Sequence, residues 1–181
     1  MVFNSVRKFQ IICCMNRTIT VLLILLAIYS TPGYGISTPD NQPSSINRPP
    51  FYNAMENDSK PALDSELVIL QAVKSEPVEA FEGALLMKKA GMGGSPASKL
   101  HLFKEGKKML EKAIQQEPGN AEYRFLRLIV QENAPGFLGY KNDIEKDSAF
   151  IRKSYPSLPE AVQQAISRYN KKSKVLKLDL S

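Results

Sequence analysis

"GKKMLEKAIQQEPGNAEYRFLRL", residues 106–128, is the most regular stretch of the chain and decides its fold class. Upstream of Pro118, the residues Leu102, Phe103, Gly106, Met109, Leu110, Ala113 and Ile114 recur at the i, i+3, i+4, i+7 spacing of an amphipathic helix. Lys104, Glu105, Lys107, Lys108, Glu111 and Lys112 fill its outer face. Gly106 falls on the apolar side. A glycine there costs about 1 kcal/mol relative to alanine, so close approach of a neighbouring helix is expected. Pro118 and Gly119 stop this helix, and Asn120 is suited to cap the next one. In that second helix Phe125, Leu126, Leu128, Ile129 and Val130 widen the apolar face, so deep burial is expected. Two helices joined by so short a turn lie antiparallel.

The pattern extends in both directions. "PALDSELVILQAVKS" and "PVEAFEGALLMKKAG" read as two earlier helices opened by Pro61 and Pro77, with Gly91 closing the second. "GMGGSPAS" reads as a linker: it lacks the strand, the lysine and the spacing of a phosphate loop. Beyond "APGFLGY", whose Phe137, Leu138 and Tyr140 are expected to pack back on the core, come two more helices. Ser157 is the expected cap of the last. The fold class is therefore all-α, a small antiparallel helical bundle of five or six helices over residues 61–170.

Gly106, Leu110, Ala113 and Pro118 are spaced like the second-helix half of a tetratricopeptide repeat, and "EKAIQQEPGN" is the most typical piece. The first-helix signature is absent at its usual distance, which falls in the glycine-rich loop; Gly83 in "FEGALL" takes its small-residue role if that loop is an insertion. Residues 78–133 thus resemble one degenerate repeat. The resemblance implies a groove-forming hairpin that binds a protein or peptide.

The front of the chain is different in kind. In residues 15–35 a positive Arg17 precedes nine apolar residues, 21–29, then Pro32 and the small Gly33 and Gly35. That is the anatomy of a secretory signal with cleavage between Gly35 and Ile36, which places the mature protein in a periplasm or outside the cell. Nine residues fall short of the roughly 20 a membrane span needs, so anchoring by an uncleaved signal is the alternative. The first fourteen residues make an awkward leader, and translation is expected to start at Met15. Residues 36–60, with four prolines among Ser and Asn, read as a disordered polar linker. Residues 171–181 read as a basic flexible tail.

Composition narrows the chemistry. The chain has 181 residues and a net charge of +6, of which Arg7, Lys8 and Arg17 belong to the expected signal. Without them, 21 basic residues face 18 acidic ones. This balance, without interleaved aromatics, does not suggest nucleic-acid binding. Cys13 and Cys14 are the only cysteines and would be removed, leaving packing alone to hold the fold. The one histidine, His101, has no ligand set or triad near it in sequence, and no cofactor or metal motif is present.

Two candidate sites remain. Arg124 and Arg127, three apart on the most apolar helix, could fork around a peptide carboxylate or pair internally with nearby acids. Glu132 with Asp143, Glu145 and Asp147 could supply paired carboxylates for a hydrolase, although acids also favour a helix start. The expected function is a non-enzymatic, exported protein-binding or adaptor module. A small carboxylate-dependent hydrolase and a structural accessory of an envelope assembly are the alternatives.

Overall fold

The computed structural model describes residues 45–73 and 77–179. The expected signal, its cleavage point and the start at Met15 lie outside the described residues, as do residues 36–44 of the expected linker. Every regular element described is helical: α1 (Arg48–Glu56), α2 (Lys60–Ala72), α3 (Glu79–Gly91), α4 (Pro96–Gln116), α5 (Ala121–Asn133), α6 (Ile144–Ser154) and α7 (Glu160–Asn170), with short 3-10 turns at Gly136–Leu138 and Tyr155–Ser157. Among the described residues, no helix is long and apolar enough to cross a membrane.

The sequence stretch that defined the fold behaves as its pattern requires. Asn120 accepts from the backbone N–H groups of Glu122 (3.0 Å) and Tyr123 (3.2 Å), capping α5. Eleven of the thirteen α5 residues are buried, because α3, α4 and α6 all pack against it. The α3–α4 pair is an antiparallel hairpin whose crossing point is set by two glycines. A Cβ built on Gly83 would stand 2.6 Å from the carbonyl oxygen of Gly106, and one on Gly106 would collide with that of Gly83. The two backbones therefore touch with no side chain between them.

Four expectations need correction. First, the expected disordered linker holds a helix, α1, which joins the six helices of the expected bundle. Pro49 and Pro50 occupy its first turn, where a missing N–H costs nothing, so they start a helix here. Phe51 and Tyr52 are fully buried, and Phe51 meets Phe81 edge-on at 5.0 Å. Second, residues 171–179 of the expected flexible tail are docked. Leu176 is buried, Arg152 donates to the carbonyls of Val175 and Leu176 (both 3.0 Å), and Ser173 donates to Glu132 (2.7 Å). The four lysines of this segment point outward while Val175, Leu176 and Leu178 turn in. Third, Ser157 does not cap α7; it sits in the 3-10 turn and donates to the Ser154 carbonyl (2.8 Å). Fourth, α4 begins at Pro96, inside the expected linker, because the Ser95 side chain accepts from the Ser98 N–H (3.2 Å).

The core is continuous. One chain of rings runs Phe51–Phe81–Tyr123 and another Tyr52–Phe125–Tyr169, linking α1, α3, α5 and α7. Tyr52 also donates to Glu122 (2.9 Å), and Arg48 donates to the same carboxylate (3.0 Å), which ties the start of α1 to the start of α5.

Candidate functional site

Arg124 and Arg127 project from α5 toward α6, and the structure brings both onto Asp147. Arg127 makes a two-pronged contact, Nε to Oδ2 at 2.7 Å and Nη2 to Oδ1 at 2.8 Å. Arg124 Nη1 reaches the same Oδ1 at 3.0 Å, while its Nε and Nη2 donate to the Pro118 carbonyl (3.1 and 2.7 Å). The remaining side of Arg127 donates to Glu111 (2.8 Å) and lies 3.6 Å from Asp143. Tyr140 donates to the other Glu111 oxygen (2.5 Å), and Phe150 stacks under the Arg124 guanidinium at 4.5 Å. Burial alone would lower the Arg127 pKa, but the bonds and charges of Asp147, Glu111 and Asp143 raise it overall. Burial and the bond to Glu111 push the Tyr140 hydroxyl up. Asp147 is 0% exposed and both arginines are buried, so the expected fork for an external carboxylate is closed on the chain's own acids. The network staples α4, α5 and α6 together.

The expected carboxylate pair is not assembled. Glu132 accepts from Ser173 and from the Lys174 N–H, whereas Asp143 and Asp147 belong to the Arg127 network. Glu145 stands in the first turn of α6. His101 is exposed on α4 with Glu105 one turn away at 3.7 Å. Among the described residues, no three His, Cys, Asp or Glu side chains converge as a metal ion would need.

The feature best suited to binding is a groove of about 1070 Å³ where the C-terminal ends of α1, α3, α5 and α7 meet the start of α4. Its apolar wall comes from Met55, Met87, Phe103, Ile129 and Val130, with Met92 and Ala134 beside them. Leu100 and Phe137 stand at the mouth, 43% and 87% exposed. The polar floor is small and already committed: Asn133 donates to the Ile129 carbonyl (2.7 Å) and to the Tyr169 hydroxyl (3.3 Å). The Tyr169 hydroxyl is pushed up by burial and by the Glu132 charge, so it stays protonated at neutral pH. Glu56, Asp58, Lys88, Lys99 and Lys172 supply the charges on the groove lining. A second, smaller depression of about 420 Å³ on the outer face of α7 is lined by Tyr155, Glu160, Gln163, Gln164, Ser167 and Arg168.

No side chain of this groove was a candidate from the sequence, because its wall is assembled from five elements and only the fold brings them together. Two signals pointed toward it. The "APGFLGY" loop is unusually apolar; Tyr140 is buried and Leu138 packs against the core as expected, but Phe137 is turned out to the groove mouth. The "GMGGSPAS" segment, read as a linker, contributes Gly91, Met92, Gly94 and Pro96 to the lining. Comparison with protein-family models, with curated proteins and with solved structures found no match for this chain.

Proposed function

We propose that this chain is a non-enzymatic protein-binding module whose groove receives an apolar helical segment of a protein partner. The observation that carries this reading is the groove itself, open and apolar, with Phe137 and Leu100 left in water at its mouth. At about 1070 Å³ it lies just above the roughly 300–1,000 Å³ of ordinary small-molecule sites. A small ligand enclosed at the bottom would leave both side chains exposed, whereas a helix laid along the groove covers them. Three of the six methionines of the chain, Met55, Met87 and Met92, line it, and flexible thioethers suit surfaces that adapt to a partner. Backbone contact at Gly83 and Gly106 supports the tetratricopeptide-like reading of the α3–α4 hairpin, in which small residues let the two helices meet. The pattern of residues 15–35 supports export, with the module working in a periplasm or outside the cell after cleavage before Ile36.

The test is direct binding of a fluorescent amphipathic helical peptide. Replacing Leu100 and Phe137 together by Glu weakens binding at least about tenfold, the scale of losing one strong interface anchor, and leaves the melting temperature unchanged because both side chains are exposed. Equal binding by this variant and the unaltered protein overturns the groove as the site.

A further inference from the structure

We infer that the helix received by the groove carries acidic side chains beside its apolar stripe, held at the rim by Lys99 and Lys172. This inference rests on the groove reading above and adds the chemistry of the partner. The groove lining contains two carboxylates and three ammonium groups. Both carboxylates are matched within the fold: Glu56 accepts from Arg168 (3.1 and 3.2 Å) and Asp58 from Lys88 (3.1 Å). Among the described residues, no carboxylate lies within 4.0 Å of Lys99, at the start of α4, or of Lys172, whose ammonium group lies 5.3 Å from the centre of the Tyr169 ring. Among the described residues, the rim therefore ends with two cations that no carboxylate contacts, while both groove carboxylates are already engaged by other cations.

A partner closing over the apolar wall takes water away from those cations. An acidic side chain arriving beside them replaces that water with a charge-assisted hydrogen bond, and a basic one meets repulsion in a partly desolvated site. An apolar helix with neutral edges would bind and leave both lysines unmatched. The open mouth and its two exposed apolar side chains favour a helix over a single-chain anionic amphiphile, which would leave Phe137 uncovered.

Three fluorescent helical peptides of about five turns, roughly 18 residues long, decide the matter. They share one apolar stripe and differ only in whether the flanking positions are Glu, Gln or Lys. Titrated against the full chain at low salt, the Glu peptide binds about tenfold more tightly than the Lys peptide, with Gln between them, as expected for two partly exposed ion pairs. Added salt narrows the gap. In the double variant Lys99→Glu with Lys172→Glu the order inverts. Equal binding of all three peptides overturns the acidic preference and leaves the groove reading standing. Failure of all three overturns both. Displacement of the Glu peptide by dodecanoate at its monomeric concentrations, with no discrimination among the peptides, makes the groove an amphiphile site and overturns both as well.

Discussion

Asp147 is the carboxylate on which most depends. It is fully buried and accepts from two guanidinium groups that are themselves buried. Removing its charge leaves two cations facing an amide, and breaking such a buried pair costs about 3–5 kcal/mol. Asp147→Asn is therefore expected to lower stability by that amount in urea unfolding, a large fraction of the roughly 5–15 kcal/mol typical of a domain. Glu66 is the opposite case. It is 4% exposed on α2, one of its oxygens has no partner among the described residues, and burial raises its pKa from the ordinary glutamate value. A carboxyl whose folded pKa is raised favours folding while protonated, and that advantage is lost as pH rises through the folded value. Glu66→Gln is expected to raise the melting temperature at pH about 7 and to leave it nearly unchanged at pH about 3.5, where the acid is protonated folded or unfolded. A larger gain in acid than at neutrality would contradict the assignment.

At the scale of elements, the α3–α4 hairpin depends on the absence of two side chains. Gly106→Ala gains about 1 kcal/mol of helix propensity but drives a Cβ into the Gly83 carbonyl, a backbone atom that cannot swing aside, at an overpacking cost of about 1–3 kcal/mol. The net expectation is a loss of up to about 2 kcal/mol in denaturant unfolding. Gly119→Ala, where an added Cβ meets nothing within 4 Å, is the matched control and should be nearly neutral. This pair also shows what could be read in advance. Gly106 on an apolar stripe foretold a close neighbour, and periodicity located α2 through α7. It did not foretell α1, because four prolines among polar residues suggest disorder, and nothing local says that Pro49 and Pro50 fall in a first turn with Phe51 and Tyr52 next to supply buried rings. The tail escaped for a related reason: its lysines dominate the composition, while its few apolar residues settle where it lies. The groove was the least legible feature, since none of its walls exists until several separate helices are packed.

For the molecule as a whole, four tyrosines, Tyr52, Tyr123, Tyr140 and Tyr169, sit in the core and form ring contacts that join most of its helices. Burial raises every one of their hydroxyls, with neighbouring carboxylates adding to it, and Tyr123 reaches about 12. The unfolded chain releases these protons near pH 10, so folding is favoured below that value and loses ground as pH climbs toward the raised folded values. A spectrophotometric titration is expected to show a tyrosinate fraction delayed beyond pH 10 that appears together with loss of helical circular dichroism. Independent titration of every tyrosine near pH 10 in a still-helical protein would refute the packing.

The joining of α1 to α7 has one more consequence. Arg168 of α7 bridges to Glu56 of α1 across 112 residues of chain, and Tyr52 waits for Glu122, 70 residues on. A chain emerging N-terminus first would carry Tyr52 without Phe125 or Glu122 until α5 followed, and Glu56 without Arg168 until α7 did. Its final shape therefore waits for the whole described chain, and the timing of its folding is set by where α1 and α7 meet.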